Sequence, residues 1–515
     1  MSITGSVDQQ SLGAESYQPF CPRTRRRYVL WSAILASSMG FIDGSVVSIA
    51  IPAIRSDLGA TLPQALWISN SYMLFLSSLI LIGGAVGDSF GLRRVFIFGI
   101  AVFVISSMAC AIAPNPETLI VARGVQGIGA AVMVPGSLAI IAKAYPAEER
   151  GKAIGIWAAA SAFTTTVGPI IGGVLLSAAG DPGWRMIFAI NLPVGCAALF
   201  MLWRLVPPDS AAGARRIDML GGSLITLALF LLAYGMTGSG GEGSIPATGQ
   251  LIGFIGAGAA VLAIFIVTQA RIASPMVPLR LFSITAFSGA NVLTFFLYFG
   301  LSAVLFYLPM TLINGWGRSP TEAAMVFVPF GAAIALLSGW GGALADRLGP
   351  APLIAAGSMI VAIAFGGLAV LAQYQNLWFH VFPLMALGGV GMSLVVSPLS
   401  TAVMTAVSDN DTGTASGINN AISRVAGLIA VAMMGLLASA VFDRAIENTA
   451  AAGSLGDLTF GAEFTGPDSL LAVFEQATNS AFSTVAGIVA VLSLVSGAVA
   501  WITLRHGSAR DQNAP

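Results

Sequence analysis

Long apolar runs separated by short polar turns recur along almost the whole chain, and most reach the roughly 20 residues that a helix needs to cross a hydrocarbon layer. The pattern predicts spans over 29–52, 65–86, 95–113, 118–142, 152–178 and 185–205, then 218–236 and 250–270, then 284–312, 320–343, 352–372, 376–398, 413–441 and 478–503. They group as six, two and six. Between the second and third spans the chain reads Gly-Gly-Ala-Val-Gly-Asp-Ser-Phe-Gly-Leu-Arg-Arg (83–94). At the matching place in the second group of six it reads Gly-Gly-Ala-Leu-Ala-Asp-Arg-Leu-Gly-Pro (341–350). A charged, glycine-punctuated turn used twice at corresponding positions is the trace of a duplicated bundle, a construction found among membrane transporters.

Composition narrows this further. Hydrophobic residues make up 56% of the chain and charged residues 9%, whereas soluble surfaces need about a quarter charged residues. The fold class is therefore an all-α polytopic membrane protein, with the lipid bilayer as its first partner. Its expected parts are a tail over 1–28, a six-helix bundle over 29–205, two inserted helices with linkers over 206–278, a second six-helix bundle over 279–505 and a tail over 506–515. The formal net charge is zero, which gives no footing for nucleic acid. Three cysteines (Cys21, Cys110, Cys196) and two histidines (His380, His506) have no metal-ligand spacing, so no metal or cofactor is expected.

The basic residues set an orientation. Arg23, Arg25, Arg26 and Arg27 precede the first run, which resembles a secretory signal in charge but is full spanning length and lacks a clear cleavage site, so it reads as a retained span. With the N-terminus inside, the inner turns collect nearly all the Arg and Lys, while the outer ones hold only Arg55, Arg185, Arg318 and Arg444. This bias predicts cytoplasmic N- and C-termini. The longest outer loop, 442–477, carries Asp443, Glu447, Asp457, Glu463, Asp468 and Glu475 against Arg444. It reads either as a solvated connector or as an electrostatic collar for cations.

Particular residues then resemble the major facilitator superfamily, and within it the fourteen-span drug:proton antiporters. The resemblance runs from about 30 to 505. Ile42-Asp43-Gly44-Ser45-Val46-Val47-Ser48-Ile49-Ala50-Ile51-Pro52 is similar to the family's first-span motif, with Ser45 and Ser48 replacing the usual Thr and Asn. Trp67 and Tyr72 resemble the start of the second span. Gly84 to Arg94 matches the loop motif, with Ser89 in place of a basic residue. Arg123-Gly124-Val125-Gln126-Gly127-Ile128-Gly129 matches the fourth-span motif, and Gly168-Pro169-Ile170-Ile171-Gly172-Gly173 the fifth-span motif associated with antiporters. Trp184-Arg185, Asn191-Leu192-Pro193-Val194-Gly195 and Arg216-Ile217-Asp218-Met219-Leu220-Gly221 follow in order. The resemblance implies proton-coupled export of small amphipathic or toxic compounds by alternating access, in a bacterial inner membrane, with a proton gradient as energy source and a possible periplasmic adaptor as partner. Export of one metabolite, siderophore or antibiotic needs the same architecture, and a membrane enzyme or a transporter-like sensor is a weaker alternative.

Asp43 is the clearest mid-membrane carboxylate. Burying it charged and unpaired costs several kcal/mol, so it must bind a proton or pair with a cation; a satisfied structural acid is the plainer reading. The resemblance implies that Arg123 lies near it, where a cation favours proton release; alternatively Arg123 is a structural arginine satisfied by carbonyls and Gln126. Asp88 and Asp346 sit in the repeated turns, where an anion can cap a helix and attract Arg93 or Arg94, either as a gating contact or as ordinary turn chemistry. Gly168, Pro169, Gly172 and Gly173 allow close packing of the fifth span, which can seal the path against proton leak. The expected substrate cavity comprises Gln126, Asn291, Phe295, Tyr298, Phe299, Asn419 and Arg424. Its aromatics suit greasy or cationic ligands but also suit a lipid-facing surface, and Arg424 also reads as structural.

Overall fold

The computed structural model describes residues 20–209, 217–238, 248–408, 411–447, 449, 458–464 and 466–505. Most of both tails, the 210–216 segment with Arg215 and Arg216, and Asp457 of the long loop lie outside the described residues. Each apolar run is a helix: α1 (Arg23–Leu58), α2 (Leu62–Phe90), α3 (Leu92–Ala111), α4 (Pro116–Ala144), α5 (Glu148–Ala179), α6 (Asp181–Leu205), α7 (Met219–Thr237), α8 (Thr248–Arg271), α9 (Thr285–Gly315), α10 (Pro320–Leu348), α11 (Pro350–Tyr374), α12 (Leu377–Thr405), α13 (Thr412–Glu447) and α14 (Asp468–Leu504). Several outrun their apolar stretch. α13 continues through Asp443, Arg444 and Glu447, and α14 begins at Asp468 rather than 478. A helix satisfies its own backbone whatever its side chains, so hydrophobicity marks only the lipid-covered part.

Local chemistry sets the ends. Thr61 and Gln64 form a capping box at the start of α2, and Ser319 and Glu322 form another at α10; Asn115 caps α4 through the Thr118 N–H at 2.9 Å. Each reciprocal pair satisfies amide donors that the first helical turn leaves free. The two copies of the repeated turn share one backbone device. Gly91 stands at φ 95° and Gly349 at φ 81°, each three residues after its aspartate, so the chain reverses where an L side chain would be strained.

α1 to α6 pack on one another, as do α9 to α14. α7 and α8 pair with each other, and α7 leans on both α2 and α13, held by an aromatic cluster of Trp67, Phe230, Tyr234 and Phe254. Asp218 starts α7 by accepting the Gly221 N–H at 2.7 Å and the Gln269 amide of α8 at 2.6 Å. Let the N side be the face where α1 starts and the far side the face where it ends. On the far side the two bundles meet. Thr321 of α10 donates to the Gly173 carbonyl at 3.0 Å and to Ser177 of α5 at 2.8 Å, and Leu66 of α2 lies against Gly435 of α13. Gly331 of α10 lies against Thr166 of α5, about halfway through. Beyond that point α5 and α10 are exposed towards the N side, at Ile156, Phe163, Leu336 and Trp340. The two bundles thus meet on the far side, and towards the N side α2 and α13 remain in contact at Leu81 and Gly417 while α5 and α10 no longer cover each other.

The described part of the long loop is not a free connector. Phe460 is fully buried against Tyr307 and Phe442, with ring centroids 6.0 and 6.1 Å away. Arg55, at the far end of α1, donates to the Phe460 carbonyl and to the Thr459 hydroxyl, both at 3.0 Å. Residues 458–464 therefore plug the far-side mouth, because Leu458, Phe460 and Phe464 have apolar ground to bury themselves in. Of its acids, Glu463 faces Ser56 and Glu475 accepts from Gln375.

Candidate functional site

α2 and α4 run side by side, and Gly127 is the reason they come so close: a side chain there would collide with the backbone of Tyr72. One turn earlier on α4, this approach aims Arg123 at α2, where its Nε donates to the Ile68 carbonyl at 3.1 Å. The rest of the guanidinium reaches α1. Its Nη1 donates to Asp43 Oδ2 at 2.5 Å and to Gln126 Oε1 at 2.6 Å, while Gln126 Nε2 donates to Asp43 Oδ1 at 3.0 Å. Both carboxylate oxygens are thereby occupied.

A second ring of groups holds these three. Gln126 Nε2 also reaches Ser107 Oγ of α3 at 3.3 Å, Ser107 donates to the Phe188 carbonyl at 3.0 Å, and Asn191 of α6 donates to Ser107 at 2.9 Å. Cys110 offers its thiol to Gln126 at 3.8 Å. The face of Tyr72 lies 4.3 Å from the Arg123 guanidinium carbon and that of Phe188 lies 5.6 Å from it. Asp43 and Arg123 are 1% exposed and Gln126 0%, so water screens none of these contacts. In a fully hydrogen-bonded, desolvated ion pair of this kind each partner depends on the other, because removing either leaves a buried charge uncompensated.

α5 closes over the same level of α1. Side chains at Gly168 or Gly172 would strike Ser45 or Val46, and one at Gly173 would strike α10 at Pro320, Thr321 and Ala324. Pro169 is buried beside them. The glycine run thus lies against the turns that follow Asp43 and also forms half of the far-side seal.

The N-side turns hold a group that the sequence reading passed over. The N-terminus of α3 is met by Asp209, from the segment after α6. Its carboxylate accepts the Leu92 and Arg93 N–H groups, each at 3.0 Å, and the Lys143 ammonium at 2.8 Å. Burial pushes the Asp209 carboxyl up, but the Lys143 ammonium and the two backbone donors outweigh this and hold it below the usual carboxylate range. The capping role expected of Asp88 at this helix start therefore belongs to Asp209, and the Arg93 side chain donates to the Leu202 and Trp203 carbonyls at 2.9 and 2.8 Å. Asp88, Arg94 and Asp346 are exposed on the N side. The only signal for Asp209 was a lone acid in an arginine-rich inner segment.

The expected cavity residues divide. Gln126, Asn291 and Phe299 are buried and do not form a wall: Gln126 is spent on Asp43, Asn291 donates to the Phe287 carbonyl at 2.9 Å, and Phe299 packs in the core. Asn419 of α13 bridges to Asn291 and Thr294 of α9 at 3.1 and 2.8 Å. Phe295, Tyr298, Asn419 and Arg424 are half-buried where the two bundles face each other.

Known proteins place this arrangement. The family model described as Major Facilitator Superfamily matches residues 33–431 and 290–513. The chain is 32% identical over 423 residues to the multidrug resistance protein Stp of Mycobacterium tuberculosis, covering 80% of this chain and 77% of that one. It is 30% identical over 428 residues to the tetracenomycin C resistance and export protein of Streptomyces glaucescens, with 80% and 77% covered. Among solved structures, a bacterial homolog of the human lysosomal transporter Spinster superposes with a TM-score of 0.68 at 17% identity, covering 94% of this chain and 98% of that one.

Proposed function

The chain belongs to the major facilitator superfamily, with the fourteen-span form of its fold, and on that premise we propose that it exports small toxic or antibiotic molecules in exchange for protons by alternating access. The observation that carries the coupling is the Asp43–Arg123–Gln126 cluster: a lone acid at mid-membrane depth whose every oxygen is held by groups that lose their partner when it takes a proton. Drug export is supported by relatives named for multidrug resistance and for export of tetracenomycin C.

The N side is the cytoplasm of this proposal, because the basic residues of the inner turns gather there, and the membrane is the plasma membrane. The far-side contacts between the bundles support a state sealed from outside. In that state Asp43 is clamped by Arg123 and Gln126. In the outward state a proton reaches it from the far side, the clamp loosens, and α1 is freed to shift against α5 along the Gly168–Gly173 run. That run excludes water from the path, so the proton does not leak past the acid. Asp88, Asp346, Arg93 and Arg94, at the N-side ends of α2, α10 and α3, bias the balance between the two states through the repeated turns. One proton entering across about 100 mV releases about 2.3 kcal/mol, enough for roughly a fifty-fold gradient of a neutral substrate.

A relative named for a single antibiotic favours a second reading, a dedicated exporter of one compound with the same machinery. Proteoliposomes containing the full chain, given an imposed pH gradient and a panel of unrelated compounds, separate the two by the number of compounds moved. No pH-driven movement of any compound rejects the proton coupling itself.

A further inference from the structure

The membrane interior of this protein holds one arginine without a hydrogen-bond or ion-pair partner among the described residues. Among the described residues, three acidic or basic side chains lie at mid-membrane depth: Asp43, Arg123 and Arg424. The first two cancel each other in a sealed pair. Arg424, on α13, makes no hydrogen bond or ion pair among the described residues, and its Nε is buried without a partner. Arg424 is half-buried, a buried N–H without a partner carries a desolvation cost, and its neighbours do not relieve it. Tyr72 of α2 and Tyr298 of α9 are within its electrostatic reach, but a phenol is a weak partner for a guanidinium. Tyr72 already has Arg123 stacked on its ring at 4.3 Å, so that ring face is taken. Asn419, on the same helix a little over one turn away, is committed to Asn291 and Thr294.

We propose that Arg424 is the anion-binding subsite of the central cavity, and that the preferred substrates are aromatic compounds carrying an ionised carboxylate or phenolate rather than organic cations. This deepens the exporter reading above and rests on it for the direction of transport, though not for binding. The geometry supplies both halves of such a ligand. The guanidinium presents a planar fork of donors that matches a carboxylate, Tyr298 of α9 lies within its electrostatic reach, and the half-buried Phe295 ring stands one turn earlier on the same helix. A cation brought to the same place meets an unscreened like charge. The ligand charge also fixes the electrical sense of turnover: an anion leaving as a proton enters moves two elementary charges the same way.

The test uses two dyes on one xanthene frame, fluorescein (anionic at pH 8) and rhodamine 123 (cationic), titrated by fluorescence anisotropy against the full chain purified in detergent, without any gradient. Fluorescein is expected to bind at least about tenfold more tightly than rhodamine 123. Arg424→Gln is expected to weaken fluorescein by about 10- to 100-fold, the range for a hydrogen bond to a charged group, and to leave rhodamine 123 unchanged or improved. Arg424→Lys keeps the charge and is expected to retain part of the fluorescein affinity, which separates charge from folding if the Gln variant elutes as aggregate. Equal or better binding of rhodamine 123 to the native chain, no binding of either dye, or unchanged fluorescein binding in a folded Gln variant each overturns the proposal. Arg424-dependent binding of fluorescein without pH-driven export leaves this site standing and rejects only the proton coupling.

Discussion

Neutralising both members of the buried pair should harm this protein less than neutralising either one. The Asp43 and Arg123 side chains are 0% and 2% exposed and meet at 2.5 Å, so the values that apply are those of buried pairs and not the 0–1 kcal/mol of surface ones. Asp43→Asn leaves the Arg123 guanidinium without its counter-ion; Arg123→Gln leaves the Asp43 carboxylate with only the Gln126 amide. Each single change should cost about 3–5 kcal/mol. The double change leaves two neutral amides able to hydrogen-bond each other and Gln126, at a cost of about 1–2 kcal/mol. The cycle should therefore be non-additive by at least about 3 kcal/mol. Denaturant titration in mixed micelles, followed by tryptophan fluorescence, should place the double variant's midpoint above both singles. The same double variant, folded but with no carboxylate at mid-membrane, should show no pH-driven export in proteoliposomes. A double variant as unstable as the sum of the singles would refute the pairing argument, and one that still pumps against a pH gradient would refute the coupling role.

Arg55→Ala removes two charge-assisted hydrogen bonds to the far-side plug, at Thr459 and Phe460. Each is worth about 1.5 kcal/mol or more, so a cysteine introduced at Ser439 should become markedly more reactive to an impermeant thiol reagent; unchanged labelling would deny the plug a gating part. Gly173→Val drives a side chain into Pro320, Thr321 and Ala324 and should shift the population towards a state open on the far side, read from the same labelling, with folding verified by size exclusion. Asp209→Asn should loosen the first turn of α3, giving about tenfold faster amide exchange at Leu92 and Arg93, as expected for loss of a helix cap worth about 1–2 kcal/mol. Because the Asp209 carboxyl is held below its ordinary value, this stabilisation is complete above about pH 3.9 and fades as pH falls through the lower folded value. The native chain should approach the variant's exchange rate only under strong acid.

How far the amino-acid sequence alone reaches differs from feature to feature, for a physical reason in each case. Spanning helices are local objects: lipid demands that each run satisfy its own backbone and present apolar side chains, so fourteen of them, the repeated turn and the orientation bias are legible without any contact being known. Even there the far-side reach of α13 and α14 was hidden, since a helix leaving the lipid no longer needs apolar residues. Asp43 and Arg123 were visible because a charge inside an apolar run is expensive wherever it points, and family resemblance implied their meeting. What tertiary structure decided is which groups satisfy them. Ser107 and Asn191 are ordinary polar residues within their own spans and matter only because α3 and α6 bring them to Gln126. Gln126 itself was expected at a cavity wall and instead closes the acid's second oxygen. Asp209 displaced Asp88 as the cap of α3 because a neighbouring chain segment, not the turn's own acid, reaches those two amides. Phe460 seals a mouth that its acidic loop gave no hint of closing. Arg424 carries the same lesson in reverse. The sequence shows a buried arginine, and only the packed bundles show that it has no hydrogen-bond or ion-pair partner among the described residues while Asp43 is held by Arg123. Periodicity and burial cost are properties of a segment; partnership is a property of the distances between segments, and those are set by where glycines such as Gly127 and Gly173 let two helices touch.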